Sequence, residues 1–411
     1  MTQSTIPTPC CRRLPRLTRR FYPVLASALV FGALGCGEET QAPSAPETDP
    51  SLEISTAAVL SFRQVSAGPQ HTCGLTTDDR AYCWGQGFLG DGNDLRMEVR
   101  PVAVLGGLQF AQISAGGGHT CGLTPTKRAY CWGSNQSGQL GDGSTQTRLS
   151  PVAVAGGLSF RQLRTGSIHT CGVTTTNVAY CWGAGGVVGD GTTVQRSTPT
   201  KVAGGLSFRQ VVAGAFHTCG ATTTNKAYCW GRNAEGQLGI GTFGNRNGTV
   251  APAAVLGGLS FRQVLAGGGH SCGVTTNDRA YCWGYNAFGE LGNGTMSGRQ
   301  TRPVAVVGGL QFEWLSPGGD HTCGTTLTNK AYCWGRNVWG NIGDGTTTDR
   351  TRPTAVAGGL QFRMISTTGW NHSCGVTTGA RAYCWGYNGG GALGDGTEIQ
   401  RLRPRAVVGP G

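Results

Sequence analysis

One phrase recurs seven times in this chain, and a repeat of its length constrains the fold more than any other feature. The first copy reads His71-Thr72-Cys73-Gly74-Leu75-Thr76, a polar turn, then Ala81-Tyr82-Cys83-Trp84-Gly85. The histidine returns at His119, His169, His217, His270, His321 and His372, so the period is 48–53 residues. A unit of that size is one supersecondary module that cannot bury its own apolar face, and its copies must stack. The short apolar runs are built from Val, Thr, Tyr, Trp and Phe with no sustained helical period, which makes the chain all-β. Its 71 glycines recur at fixed places in each copy and read as turn punctuation.

The cysteines fix the pairing of the repeated phrase. Cys73 and Cys83 are symmetric about Asp78, and the same ten-residue step links Cys121 to Cys131, Cys171 to Cys181, Cys219 to Cys229, Cys272 to Cys282, Cys323 to Cys333, and Cys374 to Cys384. A hairpin turning at residues 77–79 sets each pair directly opposite, at a separation a disulfide accepts, so seven intra-blade bridges are expected. Alternation then places His71, Cys73, Leu75, Ala81 and Cys83 on one face, with Thr72, Gly74, Thr76, Tyr82 and Trp84 on the other. Small Gly74 and Thr72 leave room for Tyr82 and Trp84 opposite them.

Upstream of each hairpin stands another strand, such as Phe62-Arg63-Gln64-Val65-Ser66-Ala67. A Pro-led run such as Pro101-Val102-Ala103-Val104 comes before it, across a Gly106-Gly107 turn. Seven four-stranded antiparallel units fit a closed seven-bladed β-propeller spanning residues 57–411. The first unit lacks a Pro-led strand and the chain ends with a spare one, residues 404–408, which is expected to complete the first blade and latch the ring. Residues 53–59 offer the same service from the other terminus, and the sequence does not decide between them.

The string Trp132-Gly133-Ser134-Asn135-Gln136-Ser137-Gly138-Gln139-Leu140-Gly141, followed by Pro151, resembles the repeat of the regulator of chromosome condensation family. The resemblance covers residues 59–408 and implies the seven-bladed propeller again. That fold carries a nuclear exchange factor for a small GTPase, a plant ultraviolet-B photoreceptor and a secreted bacterial inhibitor of β-lactamases, so function must be argued from sites. Trp314, Trp339 and Trp370 stand outside the repeated tryptophan set. Only Gly369-Trp370-Asn371-His372 resembles a turn of the photoreceptor, and it lacks that turn's arginine.

The first 36 residues follow other rules. Arg12, Arg13, Arg16, Arg19 and Arg20 precede an apolar run over residues 24–34, too short to span a bilayer and laid out like an export signal. Its end, Ala33-Leu34-Gly35-Cys36, resembles a bacterial lipobox, which implies lipidation at Cys36. Residues 37–56 form an acidic, Pro-containing tether. Removing the leader's five arginines leaves 28 basic against 21 acidic residues, net +7 in place of +12, which weakens any case for nucleic-acid binding. The chain is therefore expected outside the cytoplasm, anchored by lipid at the outer membrane or cell surface, as a monomer.

The histidines invite a zinc reading, but Cys-x9-Cys is not a zinc spacing, and each histidine reads as a hydrogen-bonded strand-start residue. Gly-Asp-Gly turns such as Gly141-Asp142-Gly143 read as turn chemistry, and Asp91, Asn93 and Asp94 lack the further acidic ligand a calcium loop uses. No nucleophile elbow, Walker loop or zinc-protease motif occurs, so no catalytic residue, metal or cofactor is expected. Strand order gathers the Gly-Gly turns and Thr-Thr tips on one face, edged by Arg80, Arg128, Lys226, Arg279, Lys330 and Arg381, read as a solvated basic rim. The other face carries loops that differ between copies. Phe216, Arg232, Phe243, Tyr285, Phe288, Arg336, Trp339, Trp370 and Tyr387 lie there and are the candidate partner-binding residues, because aromatic and Arg loop tips make protein interfaces. The function expected is a non-enzymatic, exported, inhibitor-like protein-binding scaffold; the alternative is nucleotide exchange on a cytoplasmic small GTPase.

Overall fold

A computed structural model describes residues 60–411 apart from 368 and 370. The export signal, Cys36, the tether and the strand candidate at residues 53–59 lie outside the described residues. Within them the chain forms seven four-stranded antiparallel sheets, each built from strands consecutive in sequence. In blade 1 these are β1 (Phe62–Ala67), β2 (His71–Thr76), β3 (Ala81–Gly87) and β4 (Arg96–Ala103). Blades 2 to 7 occupy residues 112–153, 160–201, 208–254, 261–305, 312–355 and 362–406.

The expected hairpin register holds in every blade. His71 opposes Gly85, Thr72 opposes Trp84 and Cys73 opposes Cys83, and all seven disulfides are formed across Cα separations of 4.0–4.1 Å. Each tip is a three-residue turn whose third residue, such as Asp79 or Asn177, takes positive φ; Asp and Asn tolerate that conformation because their short side chains bond locally.

Two expectations change. The final Pro-led strand, Arg401–Ala406, pairs with Ala382–Gly386 of its own blade, Tyr383 facing Ala406, and does not complete the first. Each Pro-led strand belongs to the hairpin before it, as Ala103 facing Tyr82 shows, so among the described residues no strand is spare and no strand exchange latches the ring. Closure is by side-chain packing: Phe62, Val65 and Trp84 of blade 1 meet Cys374, Val376, Cys384 and Leu393 of blade 7. The second change concerns Gly74. Its missing side chain makes room for the ring of Phe62 on the neighbouring strand, 2.6 Å from where a Cβ would stand, and not for Tyr82.

That packing repeats at every seam. The disulfide face of one blade receives the Phe and Trp of the next, as Cys73, Leu75 and Cys83 receive Phe110 and Trp132. A hydrogen-bonded ring accompanies it. Nε2 of His71, His119, His169, His217, His270, His321 and His372 lies 2.7–2.9 Å from the hydroxyl of Thr120, Thr170, Thr218, Ser271, Thr322, Ser373 and Thr72 respectively. Six of those hydroxyls donate onward to a backbone carbonyl in the preceding blade's long loop, so each must accept from the histidine. Six of the rings therefore carry a proton on Nε2, and burial, which lowers the pKa of all seven to about 3 or 4, keeps them neutral. The expected structural histidine is in place.

The same six carbonyls also accept the Nε1–H of the next blade's tryptophan, as Gln139 does from Trp182 and Glu290 from Trp334. Blade 1 is the exception. Its loop is three residues shorter between Trp84 and the Gly-Asp-Gly turn, and Trp132 Nε1 meets no acceptor.

The first strand of each blade lines a central channel. Near one end sits a collar of glycines, where a Cβ on Gly116 or Gly166 would approach the neighbouring blade's carbonyl to 2.3 or 2.2 Å. No residue but glycine allows backbones that close. At the other end arginines clamp adjacent blades: Arg63 donates to the carbonyls of Phe110 and Ala111, and Arg262 to those of Phe312 and Glu313.

Candidate functional site

The collar end of the propeller bears the variable loops, and there two loop types are stitched together. Past the hairpin ends, the N–H groups of Gln86, Arg232, Tyr285, Arg336 and Tyr387 donate to the carbonyls of Gln70, Phe216, Gly269, Asp320 and Asn371. Each short loop before a histidine is thereby fixed to the base of the long loop of its own blade. This is why residue 216 stands beside residue 232.

The long loops have their own frame. In five blades an asparagine acts as the hub: Asn135 accepts from Leu140 N–H and donates to Ser144 O, and Asn233, Asn286, Asn337 and Asn388 do the same with their own loops. The Gly-Asp-Gly aspartates do more than turn the chain. Asp142, Asp190, Asp344 and Asp395 are buried and pair with Arg148, Arg196, Arg350 and Arg401 at 2.5–2.9 Å. Burial opposes ionisation of Asp142, but hydrogen bonds from Ser144, Arg148 and Asn135 outweigh it and hold its pKa below the ordinary value. Asp91, in the short loop of blade 1, instead accepts from Asn93.

On this frame the candidate residues fall into three neighbouring groups along blades 4 to 7. In blade 4 the Arg232 guanidinium lies 5.6 Å from the Phe216 ring, while Arg299 of blade 5 covers Phe243 at 5.4 Å and pairs with Glu235 at 2.5 Å. Between blades 5 and 6, Tyr285 meets Phe288 edge-on and Arg336 stacks on Phe288 at 4.8 Å while bound to Asp320 at 3.1 Å. Between blades 6 and 7, Trp339 and Tyr387 pack edge-to-face at 4.9 Å. Trp370 lies outside the described residues. Cation and ring contacts of this kind hold aromatic side chains in place at low entropic cost while leaving one surface free.

Beneath the second group lies Glu290, buried, at the position that Gln139, Gln237 and Asn341 hold in sister loops. One of its oxygens accepts from Phe288 N–H, as Gln139 accepts from Ser137 N–H, and the other has no partner. Burial, reinforced by Asp320 and Asp349, pushes its pKa up to about 7. Burial and the charges of Glu290, Asp320 and Glu235 likewise raise that of Tyr285.

The distribution of exposed apolar side chains separates the two ends of the propeller. Among the described residues, eleven large hydrophobics are exposed, and nine of them, including Phe243 at 58%, Tyr387 at 40% and Trp339 at 36%, sit in or beside the long loops. Only Leu105 and Leu327 belong to the opposite face, where all six residues of the expected basic rim are exposed. The sequence reading missed Leu95, Val194, Met296 and Ile399, along with the partners Arg299, Asp320 and Glu290. Comparing the seven copies at each loop position would have exposed the apolar set; the partners depend on contacts between blades.

A family model for the RCC1-like domain matches residues 30–324. The ultraviolet-B receptor UVR8 of Arabidopsis thaliana is 28% identical over 180 residues, 43% of this chain and 40% of that protein. The probable E3 ubiquitin-protein ligase HERC4 of Homo sapiens is 28% identical over 155 residues, 37% of this chain and 15% of that protein. The matched region thus spans less than half of either relative. Among solved structures, Prp20p from Saccharomyces cerevisiae, described with its binding to Gsp1p and histones, superposes with a TM-score of 0.71 over 85% of this chain and 87% of its own, at 22% identity. At that identity the likeness establishes the fold alone.

Proposed function

This chain belongs to the RCC1-like domain family, and from that premise we propose that it is a non-enzymatic, inhibitor-like scaffold that binds a protein partner through the variable-loop face. The observation that carries this reading is the segregation of exposed apolar surface: among the described residues, nine of eleven exposed large hydrophobics lie in or beside the long loops. Apolar side chains gathered on one face and rimmed by polar groups are the mark of an interaction surface. Phe216, Arg232, Phe243, Tyr285, Phe288, Arg336, Trp339 and Tyr387 supply its anchors, and Trp370 extends the set by sequence.

The setting proposed is outside the cytoplasm, the propeller being monomeric and lipid-anchored through Cys36. Seven disulfides suit an oxidising compartment. Nucleotide exchange on a small GTPase requires a reducing one, where these pairs would be thiols. A Cys36→Ser variant that kept its fatty-acyl label would reject the anchor, and free thiols at most blade cysteines would reject export. The binding face is tested with a photoreactive amino acid placed at position 339 and, separately, at position 381 on the opposite rim. Partner adducts are expected from 339 alone; adducts from 381 alone would put the site on the wrong face.

A further inference from the structure

The wall of the central channel breaks the repeat in one place. Five blades put a glutamine into the channel near its open end, Gln64 among them, while blades 6 and 7 put Trp314 and Met364 there. One step deeper, four blades place a serine and two place Val212 and Leu265, but blade 3 places Arg164. Arg164 and Trp314 come from opposite sides of the ring and meet across the channel, guanidinium to ring centroid 5.9 Å. The one hydrogen bond the Arg164 guanidinium makes to protein among the described residues is long, 3.4 Å from Nη1 to Leu163 O, and none of the ion pairs among them includes it.

A partly covered guanidinium with no counter-charge is costly, and an anion relieves that cost. Burial alone lowers the pKa of Arg164 to about 10. The surroundings favour delivery of an anion from the open end. That mouth is lined by Arg63, Lys127, Arg161 and Arg363, with Glu313 as the one acid in its lining among the described residues; Arg63 is paired with Asp79 behind it, which leaves Lys127, Arg161 and Arg363 as the excess. Glu313 leans toward Arg262 at 3.9 Å, and Nε of Arg161 meets no acceptor. Convergent positive charge at the mouth of a low-dielectric channel concentrates anions there. At the far end the glycine collar narrows the passage.

Size decides the class of ligand. The cavity beside Arg164 holds about 60 Å³, room for roughly four waters or one small oxyanion, and it opens into the wider mouth that Arg164 and Trp314 also line, so anything larger to which that oxyanion is joined stays in the mouth. We propose that the central channel is an oxyanion site, in which a single phosphate, sulfate or carboxylate group enters from the face opposite the variable loops and is held by Arg164 against Trp314. Arginine suits this role because its planar fork offers paired N–H donors to two oxygens of one group.

The repeat supplies its own benign test variants. Arg164→Ser installs the residue of four sister blades, and Trp314→Gln that of five, so both should fold. The full chain is titrated calorimetrically at fixed ionic strength with inorganic phosphate, phenyl phosphate and acetate in separate runs. One site per chain is expected, with Arg164→Ser weakening it at least about tenfold, the loss of a charged hydrogen-bond pair. Trp314→Gln should weaken it severalfold, while Arg381→Ser on the solvated rim leaves it unchanged. Tighter binding of phenyl phosphate than of phosphate means that the group arrives on a larger ligand; equal binding means the free ion. Unchanged affinity in Arg164→Ser, or no saturable binding of any probe up to about 10 mM, overturns the proposal.

Discussion

The histidine ring and the aromatic arc sit at the same end of the propeller, one loop apart, and they obey opposite rules. All seven histidines are buried, each bonded to the next blade's Thr or Ser through a contact that differs by only 0.2 Å around the ring. The arc is confined to blades 4 to 7, no two of its contacts are alike, and Phe243, Trp339 and Tyr387 are exposed. What recurs in every blade is what a closed ring needs at every seam. What occurs once has no such duty. The two meet at Glu290: its backbone carbonyl takes the same two bonds as its counterparts, from Thr322 and Trp334, while its side chain belongs to blade 5 alone.

Acid breaks this contrast most severely. Folding holds each histidine pKa at about 3 or 4 against an ordinary 6.5, so the unfolded chain binds more protons wherever the pH lies between those values. Stability contributed by the ring is complete above about pH 6.5 and is lost as pH falls toward 4, at up to ~1.4 kcal/mol per pH unit for each histidine. With seven acting together, urea midpoints measured with disulfides intact should fall steeply between pH 6.5 and 4.5. A flat profile there would mean that the imidazoles are not held neutral, and the seam geometry would be wrong.

A smaller effect of opposite sign is expected at Glu290. Its folded pKa of about 7 exceeds the ordinary 4.5, so its contribution is most favourable below 4.5 and is lost as pH rises through 7. Glu290→Gln installs the residue that Gln139 and Gln237 provide in sister loops, a neutral amide in place of a desolvated carboxylate. At pH 8 it should gain about 1–3 kcal/mol, and below pH 4.5 almost nothing, by denaturant unfolding. Equal effects at both pH values would show that the carboxyl is not desolvated by the Phe288 loop.

How much of this could be read in the sequence follows the same division. The ten-residue cysteine step and the alternation of Thr72, Gly74, Tyr82 and Trp84 encode register directly, because both partners lie in one hairpin. Assigning the Pro-led strand to a blade failed because a strand with a hairpin on each side can pair with either neighbour, and only side-chain packing decides. Gly74 makes room for a different ring from the one its hairpin suggests for a related reason, since Phe62 comes from the strand on its other edge. Of the candidate site, individual residues such as Arg336 and Trp339 were visible as departures from the repeat. Their stacking on Phe288 and Tyr387 joins different blades, and Arg164 meeting Trp314 joins opposite sides of the ring; one-dimensional spacing carries neither.

The smallest stability effect is the sharpest test of the comparison, because the arc should be nearly dispensable to the ring. Phe243 and Trp339 are 58% and 36% exposed, and their ring contacts are with Arg299 and Tyr387. Edge-to-face and cation–ring contacts at such sites are worth about 0.5–1 kcal/mol, so Phe243→Ala and Trp339→Ala should lower unfolding free energy by about 1 kcal/mol or less. Against a captured partner the same changes should cost about 2 kcal/mol each, roughly a thirtyfold loss of affinity, since anchors of this type dominate interfaces. His270→Ala, at the seam beneath them, should do the reverse: a loss of stability of about 2–4 kcal/mol from a buried cavity and a Thr322 hydroxyl that keeps its bond to Glu290 O but loses its donor, with partner affinity of the folded fraction unchanged. If the arc variants melt early and still bind, the rings are a lid over the seams, and the division between shared structure and singular function fails at the place it was drawn.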